Sequence, residues 1–298
     1  MNRRAHIRRR AFMAGAAITA GSGAVGMTSK RKPEPVRFGL ITDVHYAARP
    51  PRGDRYYRLA AVKLRRAIAR LRDEAPDFVV GIGDLKDQDD PPRREASLRY
   101  ARTAAGLLKG AGVPVHAVLG NHDVDSLSKA EFIAAVHGPD AGPAPHYSFD
   151  RGGVHFVVLD ANYRADGVGY DRGNFDWRDT HIPGEQVDWL QRDLAGSGGP
   201  AVVFCHQRLD GTGPFHVNNA AEVRSVLEEH GRVAAVFHGH DHGGATGRLG
   251  GIGYYTLPAM VDGPDLETDT AFAMAEVFAD GRCRVRGFAR APDGSAPA

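Results

Sequence analysis

The sequence predicts an α/β protein built on two packed sheets. Short apolar runs alternate with helical patterns as far as Gly243, and strand-like runs without helices follow. The 298 residues are 42% hydrophobic, 25% charged and 8% aromatic, a composition that excludes disordered, collagen-like and coiled-coil chains. Beyond the N-terminal region, no apolar run reaches the ~18 residues of a membrane-spanning helix.

Six apolar runs predict buried strands in the first part of the chain. Each is short and rich in Val, Ile, Leu or Phe, as strands covered on both faces are. The predicted strands are Val36–Thr42, Phe78–Ile82, Val115–Leu119, Val154–Leu159, Val202–Cys205 and Val233–Phe237.

Helical patterns separate these strands. The clearest has apolar residues at helical spacing, namely Tyr57, Ala60, Leu64, Ala67, Ile68 and Leu71. Further helices are predicted at about Arg94–Lys109, Leu127–His137, Gly184–Leu194 and Asn219–His230.

The last part of the chain predicts consecutive, mostly antiparallel strands at Gly253–Leu257, Thr270–Phe278 and Cys283–Phe288. The chain shows no internal repeat and no long linker. We therefore expect one domain over residues 33–290 and a flexible tail over residues 291–298.

Polar motifs follow five of the predicted strands at the point where each strand ends. They are Asp43-Val-His45, Gly83-Asp84-Leu-Lys-Asp87, Gly120-Asn121-His122-Asp123, Cys205-His206 and Gly239-His240-Asp-His242. Because ligands of open α/β sheets bind beyond the carboxyl ends of the strands, we expect these side chains to share one crevice. The glycines Gly83, Gly120 and Gly239 are expected to let the chain turn sharply there.

This set offers imidazole nitrogens and hard oxygens. Strand alternation turns Cys205 away from the face that His206 uses, so no thiolate ligand is evident. Mixed nitrogen and oxygen ligation suits Mn, Fe, Zn or Co without choosing among them. The donors are too many for one tetrahedral ion and about enough for two. Two divalent ions would leave a surplus of positive charge, which favours a phosphate ligand.

The ordered motifs resemble those of the calcineurin-like metallophosphoesterase superfamily, and they span Asp43 to His242. The resemblance implies a four-layer α/β/β/α sandwich, with two central mixed sheets flanked by helices. It also implies two divalent or mixed-valence metal ions (Mn, Fe or Zn) and in-line attack of a metal-bound hydroxide on the phosphorus of a small substrate.

The resemblance also assigns roles residue by residue. One metal would be bound by Asp43, His45 and His242, the other by Asn121, His206 and His240, with Asp84 bridging the two. His122 would approach the leaving-group oxygen as proton donor or electrostatic partner, and Asp123 would orient its ring.

Other stretches resemble the manganese-dependent ADP-ribose/CDP-alcohol diphosphatases. They include Arg55-Tyr-Tyr-Arg58 and Gly184-Glu-Gln-Val-Asp-Trp-Leu190. The chain departs from that group at His45, where those enzymes tend to carry Gln, so the sequence leaves monoester, diester and pyrophosphate substrates open. In the loop of Phe175 and Trp177, the aromatic residues either stack a nucleobase or anchor the loop by packing.

The N-terminus predicts an export signal. Arg9-Arg10 followed by Ala11-Phe-Met and a mild apolar stretch resembles a twin-arginine signal, which makes residues 1–32 a signal peptide with a short linker. The alternative is a disordered basic tail. An exported chain would meet the twin-arginine translocation machinery and reach the periplasm or the exterior.

The charge balance argues against a nucleic-acid partner. The net charge of +2 comes from 38 basic and 36 acidic residues, and five of the arginines lie in residues 1–26, which hold no acid. The remainder, 33 basic against 36 acidic residues, has a charge of −3, so stable nucleic-acid binding is not expected. A metal-stabilised binding protein of the cell envelope without turnover is the second hypothesis. The sequence leaves the oligomeric state and the pairing of Cys205 with Cys283 open.

Overall fold

The structure is a computed structural model that describes residues 34–139 and 144–296. The predicted signal peptide lies outside the described residues. The helices are α1 (Tyr57–Asp73), α2 (Arg94–Lys109), α3 (Lys129–His137), α4 (Gly184–Gly196) and α5 (Ala220–His230). The strands are β1 (Val36–Ile41), β2 (Phe78–Ile82), β3 (Val115–Val118), β4 (Tyr147–Arg151), β5 (Val154–Val158), β6 (Ala201–Phe204), β7 (Val233–His238), β8 (Ala245–Leu249), β9 (Ile252–Thr256), β10 (Phe272–Val277), β11 (Cys283–Phe288) and β12 (Gly294–Ala296).

The strands form two mixed six-stranded sheets. The first has the order β12-β11-β10-β1-β2-β3, and the second has the order β4-β5-β6-β7-β9-β8. In the first sheet β1, β2 and β3 are parallel, and in the second β5, β6, β7 and β9 are parallel. The polar motifs therefore stand at the same edge of each sheet, as the sequence predicts.

The core lies in three layers. Between the sheets, the rings of Phe38, Phe78, Phe156 and Phe204 pack edge to face or stacked at 5.0–6.3 Å between centroids. The helices α1, α2 and α3 cover the first sheet, and α4 and α5 cover the second. The fold is thus a four-layer α/β/β/α sandwich, as the resemblance implies.

The sequence missed three edge strands, β4, β8 and β12. Edge strands show little apolar alternation because one side faces solvent, and β8 is largely exposed. Residues 294–296 lie in the segment predicted to be a flexible tail, yet they pair with β11. That prediction is corrected here, because backbone hydrogen bonds hold residues 294–296 against β11. The sequence Gly-Ser-Ala has no pattern that predicts such pairing.

Both cysteines are buried and free. Cys205 lies in the core under α4 and α5, and Cys283 lies in the core between the sheets. Within residues 34–139 and 144–296, no helix is long and apolar enough to cross a bilayer.

Candidate metal centre

The strand ends bring the predicted ligands of both sheets together. Oδ2 of Asp84 lies 3.4 Å from Nε2 of His45 and 3.2 Å from Nε2 of His206. Oδ1 of Asp43 lies 3.6 Å from Nε2 of both His45 and His242. Asp84 is therefore central to the group, with His45 on one side and His206 on the other.

Three overlapping clusters of donor atoms share this centre. Asp43, His45 and His242 form the first cluster, Asp84, His206 and His240 form the second, and His45, Asp84 and His122 form a third that shares a residue with each. Within each cluster the donor atoms all lie within 4.8 Å of one another, close enough for a single ion. The resemblance implies one ion at the first cluster and the other at His206 and His240 with Asn121, a residue type that this set of His and Asp donors does not include.

In the first cluster, a carboxylate lies at the far nitrogen of each imidazole. Nδ1 of His45 lies 3.2 Å from Oδ2 of Asp87, and Nδ1 of His242 lies 2.9 Å from Oδ2 of Asp262. A carboxylate behind an imidazole fixes its tautomer and makes it a better metal ligand. Both rings therefore present Nε2 to the centre.

In the second cluster, backbone carbonyls take the same place. Nδ1 of His206 lies 2.7 Å from the carbonyl of Ile82, and Nε2 of His240 lies 3.3 Å from that of Trp177. His206 therefore presents Nε2, whereas His240 presents Nδ1. All four rings have an acceptor behind them, which is the arrangement expected around metal ions.

Several buried polar atoms of the centre have no hydrogen-bond partner. They are Oδ1 of Asp43, Nε2 of His45, Oδ1 of Asn121 and Nε2 of His206. A buried polar atom without a partner is costly, and native proteins seldom leave one unpaired. Because four such atoms come from residues that coordinate metals in proteins, the chain's own residues fit two bound cations. The protein holds two divalent metal ions, whose identity these donors leave open.

The backbone at these residues is held in an uncommon conformation. Asp43, His45, Asp84 and His240 have φ values of 50°, 45°, 52° and 67°. Left-handed conformations cost energy for residues with a Cβ, and they persist where surrounding structure enforces them, often at functional sites. The strain aims these side chains at a common point.

The charges of the centre shift its ionisations. Burial lowers the pKa of an imidazole, but nearby carboxylates outweigh it and raise the pKa of His45 to about 10 and that of His206 to about 9. Burial raises the pKa of Asp43, but His206, His45 and His242 bring it well below its usual value. The carboxylates that hold protons on these rings also attract a cation, which has to displace those protons.

The glycines serve this centre in two ways. Gly83 has a φ of 84°, so it allows the predicted sharp turn. At Gly120 the requirement is space, because a Cβ there would lie 2.2 Å from Oδ1 of Asp84. At Gly239 a Cβ would lie 2.5 Å from Oδ2 of Asp43. We expected Gly120 and Gly239 to allow sharp turns. The structure shows instead that glycine is needed there because the backbone lies close to the acidic ligands.

The predicted pairing of Asp123 with His122 is wrong. Asp123 is fully buried, and its oxygens accept the backbone N–H groups of Asp84, Leu85 and Gly120 at 2.9 Å. Asp123 thus ties two ligand loops together. His122 lies in a 3₁₀ helix (His122–Val124), in which residues three apart share a face, so the residue after it points elsewhere.

An open cleft of about 610 Å³ lies over the centre. Its lining includes Arg55, His122, Phe175, Trp177 and Phe215. The rings of Trp177 and Phe215 lie 5.4 Å apart at 31°, and Phe175 contacts His122 at 5.7 Å. The loop that holds Phe175 and Trp177 therefore faces the centre, where sequence reasoning allowed either stacking or loop packing. Nothing in the sequence pointed to Phe215.

Comparisons with known proteins agree with this geometry. The family model described as calcineurin-like phosphoesterase matches residues 36–244. A manganese-dependent ADP-ribose/CDP-alcohol diphosphatase from Danio rerio is 28% identical, over 86% of this chain and 96% of that protein. A serine/threonine-protein phosphatase from Bos taurus is 30% identical, over 68% of this chain and 64% of that protein. The crystal structure of a dimetal phosphatase from Danio rerio superposes with a TM-score of 0.76 and 26% identity, covering 88% of this chain and 99% of that chain.

Proposed function

The chain belongs to the calcineurin-like phosphoesterase family, and from this membership we propose that it is an exported enzyme that hydrolyses a phosphodiester or pyrophosphate bond in a small substrate. Metal-dependent hydrolysis of phosphoesters follows from the family, from the dimetal phosphatase it resembles in structure and from the paired clusters. The observation that carries the proposal is the position of Asp84 between two His and Asp clusters beneath an open cleft.

We assign the metal centre to the residues that meet there. Asp43, His45 and His242 would hold one ion, and His206, His240 and Asn121 would hold the other; the carboxylate of Asp84 lies between His45 and His206. When bound there, divalent ions would supply positive charge to a phosphate and would lower the pKa of a water molecule. The left-handed backbone and the acceptors behind each imidazole hold these donors in place.

His122 serves the leaving group. Its side chain is 22% exposed and borders the cleft, and its backbone N–H donates to Oδ1 of Asp84 at 2.8 Å. One water oxygen bonds to phosphorus, the bond between phosphorus and the leaving oxygen breaks, and His122 gives that oxygen a proton. The proton that the attacking water loses passes to solvent, from which His122 takes a proton back. Proton donation of this kind contributes about 10²- to 10⁴-fold in rate.

The rest of the cleft favours a substrate with an aromatic base and more than one phosphate charge. The guanidinium of Arg55, one third exposed, lies at the edge of the centre and suits a phosphate beyond the reacting one. Trp177 and Phe215 offer ring surfaces on which a nucleobase stacks. The diphosphatase from Danio rerio carries the same kind of substrate in its name, which supports the proposal.

The experiment uses the full chain, stripped of metal and reloaded with Mn²⁺. Hydrolysis of p-nitrophenyl phosphate, bis-p-nitrophenyl phosphate and ADP-ribose is compared for the wild type, Asp84→Ala and Asp193→Ala. Asp193, in α4, contacts the imidazole of His155 near the start of β5, away from the carboxyl ends of the strands, and serves as a matched control. Loss of diester or ADP-ribose hydrolysis in Asp84→Ala alone supports the proposal. Activity mainly on the monoester makes the protein a phosphomonoesterase instead.

Trp177→Ala tests the base-stacking part of the proposal. Stacking of a base on an aromatic side chain is worth about 1 to 3 kcal/mol, so kcat/KM for ADP-ribose is expected to fall roughly 5- to 150-fold. Hydrolysis of methyl p-nitrophenyl phosphate, which has no base, is expected to stay within about twofold. An equal loss on both substrates means that Trp177 supports the loop, through the carbonyl that His240 contacts, and does not bind a base.

Export rests on the sequence pattern alone. We expect a fusion that carries residues 1–32 to cross the inner membrane of a bacterium with a twin-arginine system, and Arg9→Lys with Arg10→Lys to stop it. The pair Arg3→Lys with Arg4→Lys changes the same residue types outside the motif and is expected to leave export unchanged. Retention of the wild-type fusion in the cytoplasm would remove export from the proposal.

A further inference from the structure

The charge of the chain is unevenly distributed over the fold. Residues 27–298 have a charge of −3, with 33 basic and 36 acidic residues. Within them, helices α1 and α2 hold ten basic and two acidic residues, which is a charge of +8. The rest, 23 basic against 34 acidic residues, has a charge of −11. A weakly negative average therefore combines a strongly positive helix pair with an acidic remainder.

The two helices present their charges on one side of the molecule. Because β1, β2 and β3 are adjacent and parallel, and α1 and α2 connect them in turn, the helices lie side by side over the first sheet. Lys63 is buried, and the other nine basic side chains of the two helices are exposed. Each helix is about 25 Å long. We call this exposed side of α1 and α2 the basic face.

Most charges of the basic face have no ionic partner. Three of the arginines pair with glutamates, namely Arg66 with Glu267, Arg70 with Glu74 and Arg94 with Glu131. The other six residues make no ion pair within residues 34–139 and 144–296; they are Arg58, Arg65, Arg72, Arg99, Arg102 and Lys109. Like charges held on one face repel one another, so an anionic partner would stabilise this surface.

The basic face also carries an exposed apolar side chain. Val62 is 44% exposed, and it lies on α1 four residues after Arg58 and three residues before Arg65. Residues at this spacing share one side of a helix. An apolar side chain among arginines suits the boundary between the headgroups and the acyl chains of a bilayer, where the guanidinium groups reach the phosphates and the apolar group leaves water.

The shape of the basic face distinguishes a bilayer from a nucleic acid. Two helices about 10 Å apart, each about 10 Å across, are together wider than the major groove of a duplex, which measures about 12 Å. A phosphate backbone also offers no apolar contact to Val62. A broad positive surface with one exposed apolar residue therefore fits an anionic bilayer better than a duplex.

Binding at the basic face leaves the metal centre accessible. No residue that lines the cleft over the centre lies on α1 or α2. The cleft and the face meet at the start of α1, because Arg55 lines the cleft and Arg58 belongs to the face. The cleft would therefore open beside the occupied surface.

We propose that the basic face binds the surface of a bilayer that contains anionic phospholipids, with its arginines at the lipid phosphates and Val62 at the headgroup boundary. Each basic residue close to such a surface strengthens binding by about fivefold at low salt. The attraction falls off within a Debye length, about 8 Å at physiological ionic strength, so binding weakens as salt rises. The inference is independent of the reaction in the cleft and of export.

The first experiment sediments the full chain with vesicles of phosphatidylcholine, prepared with and without phosphatidylglycerol. The wild type is compared with the pair Arg65→Glu and Arg102→Glu, which reverses one charge at the middle of each helix. The control is the pair Arg192→Glu and Arg248→Glu. It makes the same change of charge on exposed arginines of α4 and β8, on the side of the second sheet. The urea midpoint of each variant checks that it is folded.

We expect the wild type to bind only the vesicles that contain phosphatidylglycerol, and to be released by high salt. The pair on the basic face should weaken binding by about 25-fold or more, and the control pair should change it by less than about twofold. Equal binding to both kinds of vesicle, or an equal loss in both pairs, would overturn the proposal.

A second experiment locates the contact on the molecule. Cys205 and Cys283 are buried, so a cysteine introduced at the surface takes up a thiol-reactive dye selectively. An environment-sensitive dye is attached to Val62→Cys and, as the control, to Leu249→Cys, because Leu249 is 40% exposed on β8. Anionic vesicles should shift the emission of the dye at position 62 to shorter wavelength and leave the dye at position 249 unchanged. Vesicle binding without a shift at position 62 would assign the contact to another part of the chain, residues 1–32 included, and would overturn the inference.

Other anionic partners are tested in the same samples. A labelled DNA duplex that binds the wild type more tightly than the vesicles do, with the same loss in Arg65→Glu with Arg102→Glu, would make the basic face a nucleic-acid surface and overturn the proposal. Light scattering that shows a dimer in the wild type and a monomer in that pair would assign the face to a second copy of the chain instead.

Discussion

The substitution Asp262→Asn is expected to weaken one of the two metal sites and to leave the other unchanged. Oδ2 of Asp262 lies 2.9 Å from Nδ1 of His242, whose Nε2 faces Asp43. The substitution keeps the shape of the side chain and removes its charge. The segment itself stays in place, because the ammonium of Lys63 donates to the backbone carbonyl of Asp262 at 2.6 Å and does not use its carboxylate.

The expected magnitude follows from the exposure of this pair. Loss of an acceptor behind a metal-binding imidazole weakens metal affinity by about 10- to 100-fold. The side chains of His242 and Asp262 are 21% and 14% exposed, so water replaces part of the lost acceptor. We therefore expect a loss of about 10- to 30-fold, which is about 1.4 to 2 kcal/mol. The second ion is expected to keep its affinity, because backbone carbonyls lie behind His206 and His240.

The assay is a calorimetric titration of metal-free protein with Mn²⁺, supported by competition with a chelator. The wild type and the control Asp193→Asn are expected to bind two ions with unchanged affinities, while Asp262→Asn weakens one. Equal weakening of both ions would show that the two sites respond as one unit. A change of less than about threefold in either site would show that Asp262 does not support a ligand.

Three further predictions concern stability. Gly120→Ala places a Cβ against both the backbone and the carboxylate of Asp84. We therefore expect the unfolding free energy to fall by about 1 to 3 kcal/mol and the metal content to fall with it. An unchanged metal content would contradict this prediction. Lys63→Met leaves three backbone carbonyls without the ammonium that donates to all of them. We expect the unfolding free energy, measured with urea, to fall by about 2 to 4 kcal/mol. A fall of less than about 1 kcal/mol would show that water replaces the ammonium. Burial lowers the pKa of His155, but hydrogen bonds to Asp150 and Asp193 raise it above its ordinary value. The stability that Asp193 adds is therefore complete below about pH 6.5 and is lost as pH rises through the folded pKa, so the urea midpoints of the wild type and Asp193→Asn should converge at alkaline pH. A difference that does not change with pH would refute the ionic part of this interaction.

Patterns local in sequence predicted most of the fold. The strands β1, β2, β3, β5, β6 and β7 lie within a residue or two of their predicted bounds, because each is a short apolar run. All of them except the edge strand β3 are almost wholly buried. The edge strands β4 and β8 were not predicted, since their exposed sides carry polar residues, as loops do. Periodicity reports burial, so it is weakest where burial is one-sided.

The candidate metal ligands were also predicted from short segments of sequence. Motifs of two to five residues at strand ends contain every side chain of the first two clusters, and the parallel strands bring these motifs to one edge. The partners behind those side chains were not predictable in this way. Asp262 lies 20 residues from His242 in a segment without any motif, and Lys63 reaches that segment from α1.

By itself, the sequence determined the chemistry of this protein: which donors exist, at which strand ends they stand, and that they suit two metal ions near a phosphate. Only the tertiary structure decided which groups hold those donors. It directed the carboxylate of Asp123 to backbone N–H groups of the ligand loops, and it placed aromatic rings from distant loops over the centre. Residue types and strand ends are properties of short segments, so the sequence alone predicts them. The orientation of a side chain depends on the helix turn that carries it and on neighbours that only the folded chain supplies.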